Sequence, residues 1–311
     1  MKVIQHPSDK DEPLQKPVVL TIGMFDGMHL GHQSVLSRVK EISQAEGYGS
    51  AVFTFENHPA EVLRPDKKIP LLCSLDHKKN LMEKNGIDLL ILAQFTREFS
   101  HQTSDVFLSR IRTLVPFNYL ILGHDAAIGK DRHGNREIVQ ALAKQLQFEV
   151  EYLDPVFMDD QPVSSTKIRH LIQEGKLNEA DKLLGRRFSI RGQVIKGMGL
   201  GKKLGYPTAN ISVHGLCLPP LGIYAVTLFC DGRAMPGAAN LGFAPTVRND
   251  KEPILEVHLL DCDQELYGRT VEVVFEEFIR QEKQFNSLDD LKNQIAKDIE
   301  WTKNHFKSRA I

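Results

Sequence analysis

The first half of the chain repeats one phrase: a short apolar run, a turn, then apolar residues at helical spacing. Val18-Val-Leu-Thr-Ile22 is a continuous apolar run ended by Gly23. From His32 to Glu46, Val35, Leu36, Val39 and Ile42 recur with the period of a helix. Runs at 50–55, 88–92, 119–122 and 150–153 predict further strands, with helices between them at about 104–114 and 135–147. A strand with one wet face alternates apolar and polar residues, whereas a strand covered on both faces does not. Continuous runs alternating with helices therefore predict an α/β fold, a parallel sheet with helices on both sides.

The phrase stops at Gly185-Arg-Arg187. Beyond it come strand-like runs at 188–196, 222–230, 255–260 and 270–275. Gly and Pro separate them in the sequence pattern (Gly197, Gly199, Gly201, Pro219-Pro220 and Pro236-Gly237). This predicts an antiparallel sandwich or a small β-barrel. A helix closes the chain. Leu288, Leu291, Ile295 and Ile299 form its apolar stripe, and Ser287 with Asp290 begins a capping box. The segment 165–184 is helical and polar enough to act as a connector. At roughly 150 residues per domain, 311 residues predict two domains, divided as 1–184 and 185–311.

Composition narrows the function classes. Lys+Arg 39 against Asp+Glu 40 leaves a net charge of −1, without the basic footprint of a general nucleic-acid binder. The cysteines Cys73, Cys217, Cys230 and Cys262 include no C-x-x-C pair, so they predict reduced thiols rather than a zinc site or a disulfide framework. The N-terminal stretch holds no apolar core of a signal peptide, and no run approaches the roughly 18 apolar residues of a membrane span. The expectation is a cytoplasmic protein acting on small molecules, with neither nucleic acid nor membrane as partner. Oligomeric state is not legible.

Two constellations carry chemistry. The first is Gly23-Met-Phe-Asp-Gly-Met-His-Leu-Gly-His32, a strand entering a glycine turn with a helix beginning near Gly31. A helix N-terminus offers unpaired N–H groups and a positive dipole end to a phosphate. His29 and His32, three apart, face one side there and can donate hydrogen bonds to a phosphate whose charge grows in a transition state. A chance pair of histidines is the plain alternative. Ligands, however, bind outside the C-terminal ends of strands in open α/β sheets, where this turn lies. Ser164-Ser-Thr-Lys-Ile-Arg169 adds hydroxyls and a guanidinium at a helix start, which suit a triphosphate but also suit an ordinary N-cap.

Together, H-x-G-H and S-S-T-x-I-R resemble the signature of the Rossmann-like nucleotidyltransferase superfamily. The finer pattern, with Phe53-x-Phe-x-x-His-Pro59, is similar to bacterial FAD synthetases, which transfer AMP from ATP to FMN. The resemblance implies that His29 and His32 stabilise the transferred phosphoryl group. It implies that Gly23, Phe25, Asp26, Gly27, Ser164, Ser165, Thr166 and Arg169 hold ATP phosphates, and that Asp125 lies on the flavin side. The chain departs from the family pattern at Asn57, where Pro usually stands. It departs again in Gly123-His-Asp-Ala-Ala-Ile-Gly129, where the family has G-x-[DN]-F-x-F-G, often with Arg between the aromatics. With Ala126, Ala127 and Ile128 there, an aromatic or guanidinium contact to the flavin is lost.

The second constellation is Gly197-Met-Gly-Leu-Gly-Lys-Lys-Leu-Gly-Tyr-Pro-Thr-Ala-Asn210. Alternate glycines (Gly197, Gly199, Gly201) let backbone approach phosphate, Lys202 and Lys203 neutralise charge, and Thr208 and Asn210 offer oxygens to a hard cation such as Mg²⁺. A hairpin loop explains the glycines alone. The whole stretch resembles the riboflavin kinase signature G-x-G-x-G-x-x-L-G-x-P-T-A-N. So do Gly222-Ile-Tyr-Ala-Val226, Asn240-Leu-Gly-x-x-Pro-Thr246, Leu255-Glu-Val-His-Leu-Leu-Asp261, Tyr267-Gly268 and Phe278-Ile-Arg280. The resemblance implies that Glu256 is the base taking a proton from the ribityl 5′-hydroxyl, and that Arg280 contacts flavin or closes the site. Read alone, Glu256 is a surface residue on an alternating strand and Arg280 a solvated arginine near Glu276.

Both sets belong to one arrangement, the bifunctional bacterial riboflavin kinase and FAD synthetase. It implies a Rossmann-like domain followed by a kinase barrel, with ATP, riboflavin and FMN as substrates and Mg²⁺ as cofactor. The altered 123–129 segment motivates a second reading, a riboflavin kinase whose first domain is impaired or redirected. A third is a non-catalytic flavin-binding regulator, against which intact His29, His32, Thr208, Asn210 and Glu256 speak.

Overall fold

A computed structural model describes residues 1–7, 14–197, 199–243, 253–261 and 265–308. Pro245, Thr246 and Cys262 lie outside the described residues. The chain forms two compact units: Met1–Pro70 with Lys78–Ser165, and Leu71–His77 with Thr166–Ile311.

The first unit is built on a six-stranded sheet of β1 (Lys2–Gln5), β2 (Val18–Ile22), β3 (Gly49–Phe55), β4 (Leu89–Ala93), β5 (Phe117–Gly123) and β6 (Glu149–Leu153). The strand order is β1-β4-β3-β2-β5-β6, and every pairing is parallel. The continuous runs have the predicted cause, since β2 and β4 are buried along nearly their whole length. On one face the helix Leu30–Glu46 packs Val35 and Val39 against Val19 and Ile121. On the other face helices Ser104–Leu114 and Arg136–Leu146 cover Leu20, Phe53, Ile91 and Leu120 with Phe107, Leu108, Ile111 and Val139. Strand β1 comes from the polar N-terminal stretch and is added at the edge beside β4, a pairing no local pattern announces.

Successive strands run outward from β2 through β3 to β4, and the chain then crosses back to place β5 on the opposite side of β2. The order thus reverses between β2 and β5, and the crevice at their C-terminal ends is the position where open sheets bind ligands. Gly23 ends the first of these strands and Gly123 the second. After β6 comes a small hairpin of β7 (Phe157–Met158) and β8 (Gln161–Pro162).

The second unit is a closed antiparallel barrel of β9 (Ser189–Ile195), β10 (Ala209–Ser212), β11 (Gly222–Cys230), β12 (Arg233–Phe243), β13 (Pro253–Leu259) and β14 (Thr270–Arg280). The order round the barrel is β10-β13-β12-β11-β14-β9, and β9 closes it against β10. Tyr224, Val226, Leu228, Leu255, Val257 and Val273 fill the interior. Pro236 and Gly237 are not a separator as the sequence pattern suggested, because both lie inside β12. Gly237 is required there: a Cβ would come 2.7 Å from the His258 carbonyl oxygen on β13.

The segment 165–184 forms two helices, Ser165–Gln173 and Leu177–Leu184. They bury Ile168, Leu171 and Ile172, and Ala180, Leu183 and Leu184. Leu71 bridges to Leu216, which ties the short segment 71–77 into the same unit. The closing helix runs Leu288–Lys307, and Ser287 accepts a hydrogen bond from the Asp290 N–H as its cap. Leu288 departs from the expected stripe: it is 64% exposed at the helix start, while Leu291, Ile295 and Ile299 are half-buried and Asp298 and Thr302 are buried.

Candidate functional site

The turn after β2 is folded by left-handed backbone. Phe25, Gly27 and Met28 all take positive φ, at 51°, 80° and 45°. Phe25 and Met28 are nonetheless almost completely buried, so the turn is wedged into the core rather than draped over it. Gly23 donates its N–H to the Phe53 carbonyl (3.1 Å), and a Cβ at Gly23 would press on the Phe25 ring at 3.1 Å. Thr54 and Gln33 bond the carbonyls of Met24 and Met28 at 3.2 and 2.8 Å.

His29 is the N-cap of helix Leu30–Glu46, and its Nδ1 accepts from the His32 N–H at 3.4 Å. The two imidazoles stack, with centroids 3.6 Å apart and planes 19° apart. Gly31 makes room for this: a Cβ there would lie 3.2 Å from His29 Cε1. An Nδ1 that accepts fixes the proton of neutral His29 on Nε2, so that nitrogen is a donor. Ser165 donates its hydroxyl to the Asp26 carbonyl at 3.0 Å, bringing the start of helix Ser165–Gln173 to this turn. Ser164 precedes it. Thr166 and Arg169 follow on that helix, beyond the residue at which the first unit ends.

The segment after β5 has a physical account. Asp125 is exposed, and its carbonyl accepts from Arg132 Nη2 at 2.6 Å. Ile128 is a core residue, 5% exposed and bridged to Gly134, while Ala126 packs against the same core. An aromatic residue at 128 would thus enter the core in this chain. The same core holds a group of packed rings, Phe53 and Phe107 buried within it and Phe99 half-buried at its edge. The rings of Phe53, Phe99 and Phe107 meet at 5.2 to 6.5 Å and line a cleft of about 320 Å³ together with His6, Gln102 and Arg110. Asn57, the other departure, exchanges two 2.9 Å hydrogen bonds with the backbone of Phe95 and so anchors the loop that leads to this cluster. His58 caps the following helix, Pro59–Leu63.

In the second unit the glycine run contains a one-turn helix, Leu200–Leu204, flanked by Gly199 and Gly205 at φ 72° and 91°. Gly197 lies directly on Asn210: a Cβ would fall 2.5 Å from Asn210 Nδ2. A Cβ at Gly201 would overlap the Tyr206 carbonyl oxygen. Lys202 and Lys203 are exposed on this turn. The Pro207 carbonyl is held by His258 Nδ1 at 2.9 Å, which fixes the Thr208–Asn210 strand entry against β13. His258, two residues after Glu256, was not singled out by the sequence, although it stands inside the same motif.

The barrel register arranges the remaining residues. Asn210 on β10 faces Glu256 on β13, and Glu256 faces Asn240 on β12. Asn240 faces Ile223 on β11, which faces Arg280 on β14. Directly opposed residues in antiparallel strands share a face. Their chain neighbours Ile211, Leu255, Val257, Ala239, Leu241 and Tyr224 point into the barrel, so this row runs across its outer surface. Asn210 is only 4% exposed. Burial, with a smaller contribution from Glu282, raises the Glu256 carboxyl above its ordinary value. The Glu282 carboxylate reaches this face over Gly242, where a Cβ would overlap it. Arg280 is not paired with Glu276. It grips Asp298 of the closing helix through Nε (2.9 Å to Oδ1) and Nη2 (2.6 Å to Oδ2), while Glu276 binds Arg187 and the Thr227 hydroxyl.

Among the described residues no cluster of three His, Cys, Asp or Glu side chains stands ready for a metal. Thr208 and Asn210 provide neutral oxygens only. That donor set suits a hard cation whose remaining ligands are phosphate oxygens and water, as with Mg²⁺ on a nucleotide. Cys73, Cys217 and Cys230 are buried. No helix among the described residues is long and apolar enough to cross a membrane.

Known proteins match both halves of the chain. A FAD synthetase family model matches residues 11–167 and a riboflavin kinase model matches 184–306. A bifunctional riboflavin kinase/FMN adenylyltransferase from Haemophilus influenzae is 41% identical, covering 93% of this chain and 94% of its own. Enzymes of the same description from Listeria monocytogenes and Escherichia coli are each 35% identical, covering 97% and 96% of both chains. A crystal structure described as a macrolide-efflux protein from Streptococcus pneumoniae shares the fold, with a TM-score of 0.83 at 28% identity over 97% of this chain and 99% of that one. The chain is a member of the bifunctional riboflavin kinase/FMN adenylyltransferase family.

Proposed function

We propose that this chain phosphorylates riboflavin to FMN and adenylylates FMN to FAD, with ATP as donor in both steps. Residues 1–184 carry adenylyl transfer and residues 185–311 the kinase. One observation carries the reading: both family models match in one chain, which aligns along almost its whole length with relatives named for both activities. The burial of Ile128 gives one of the departures in 123–129 a packing role, which supports an intact first domain.

In adenylyl transfer an FMN phosphate oxygen attacks the α-phosphorus of ATP and pyrophosphate leaves. Neither nucleophile nor leaving group needs a proton moved, so the protein's work is alignment and charge stabilisation. His29, through Nε2–H, and His32 donate to the phosphoryl oxygens as charge develops. The turn residues Gly23, Phe25, Asp26 and Gly27 form the wall behind them. Ser164, Ser165, Thr166 and Arg169 hold the phosphates. Asp125 lies on the flavin side.

In the kinase, Glu256 accepts the proton of the ribityl 5′-hydroxyl as its oxygen attacks the γ-phosphorus and ADP leaves. Its raised affinity for protons suits a base. Gly197, Gly199 and Gly201 admit the phosphates to the backbone, with Lys202 and Lys203 beside them. Thr208 and Asn210 would hold Mg²⁺, which when bound neutralises polyphosphate charge. Arg280 orients the flavin from the far end of the row. The same reading puts the protein in the cytoplasm, with small molecules as its partners rather than nucleic acid or membrane.

Incubation of the purified protein with riboflavin, Mg²⁺ and ATP, followed by flavin chromatography, tests this. FAD should accumulate. FMN without FAD, even with FMN supplied, would overturn the adenylyltransferase assignment, and unchanged riboflavin would overturn the kinase.

A further inference from the structure

Asn240 stands between the two ends of the outer-face row, directly opposite Glu256 on one side and Ile223 on the other. Its Oδ1 is buried and has no hydrogen-bond partner among the described residues. A buried amide oxygen without a donor is costly, and the great majority of such atoms are satisfied. The oxygen can only accept. Glu256, when ionised, can only accept as well, and it is the immediate neighbour across the strands. Two acceptors side by side, one strand spacing or about 5 Å apart at the backbone, match a ligand that presents consecutive O–H donors.

We propose that Asn240 Oδ1 accepts a hydrogen bond from a secondary hydroxyl of the flavin's ribityl chain, the 3′ or the 4′, while Glu256 takes the 5′-hydroxyl. Asn240 is then a substrate-binding residue that sets which hydroxyl reaches the base. The inference rests on the kinase reading of this face. A cation ligand is the less suitable role, because Asn240 is two strand spacings, roughly 10 Å, from Asn210 along the row. The sequence places Asn240 at the head of a motif ending in Thr246 but gives it no chemistry; the register does.

The test is the steady-state kinase reaction of wild type and Asn240→Ala with riboflavin and with its 3′-deoxy and 4′-deoxy analogues. Wild type should lose roughly 10- to 100-fold in kcat/KM on one of the two analogues. Asn240→Ala should show a similar loss with riboflavin and no further loss with that analogue. Its thermal midpoint should stay at the wild-type value, since Oδ1 bonds nothing among the described residues. Asn240→Asp keeps the acceptor and should keep the discrimination against the same analogue; it serves if the alanine variant does not fold. Losses that multiply for both analogues, or an aspartate variant blind to both, would overturn the assignment. Glu256→Gln run in parallel separates the two ideas. Undiminished FMN formation by that variant would remove the kinase reading itself, whereas its loss together with multiplying analogue effects would remove only Asn240.

Discussion

Glu256 shows how one side chain acquires its chemistry from its strand. Alternation puts it on the outer face of β13, where burial first and Glu282 second disfavour its ionised form. The carboxyl therefore takes up a proton at a higher pH than an ordinary glutamate, and kinase activity should fall with acidification above the usual carboxylate range. Glu282→Gln removes the second cause, so the acid limb of the kcat/KM profile for riboflavin should move to lower pH. An unmoved limb would show that Glu282 does not act on Glu256. The linkage to stability has the opposite sign from that of a salt-bridged carboxylate. The folded-state value lies above the unfolded one, so ionised Glu256 costs stability at neutral pH. Glu256→Gln should unfold at the same or a higher temperature while losing FMN formation.

At the level of elements, one buried charged contact helps to hold the closing helix. Arg280 at the end of β14 clamps Asp298 with two parallel N–H···O bonds, and Gln294 donates to the same carboxylate at 2.9 Å. Arg280→Ala would leave a buried carboxylate unpaired, a change that costs about 3–5 kcal/mol. A denaturant midpoint shifted by that order is expected, and a shift below about 1 kcal/mol, the worth of an exposed pair, would contradict it. The contrast with Ser287 explains what the sequence could tell. A cap and its helix are three residues apart, so Ser287 and Asp290 were legible as a local pattern. Arg280 and Asp298 meet only because a strand and a helix pack, and their spacing carries no periodic signal. Strand β12 was hidden for a related reason. Its residues Ala, Pro and Gly have low strand preference, and pairing on both edges overrides that preference.

For the whole molecule, the two halves were distinguishable because their hydrophobic periods differ, and both motif-bearing stretches were legible because glycine, histidine and hydroxyl residues at fixed spacing have few other uses. Three features were not. The docking of 71–77 with the second unit, the aromatic cleft of Phe53, Phe99 and Phe107, and the Asn210–Glu256–Asn240 row all arise from residues far apart in the chain. In the 123–129 segment the sequence shows only that two aromatics are missing; that Ile128 packs in the core is a tertiary fact no local pattern carries.

The central claim is that one chain carries two separate sites, and the most direct measurement assays both half-reactions in two variants. Glu256→Gln should abolish FMN formation from riboflavin and leave FAD formation from supplied FMN near wild type. His29→Ala should do the reverse. If either change, in a folded protein, removed both activities or neither, the assignment of two independent sites would be contradicted.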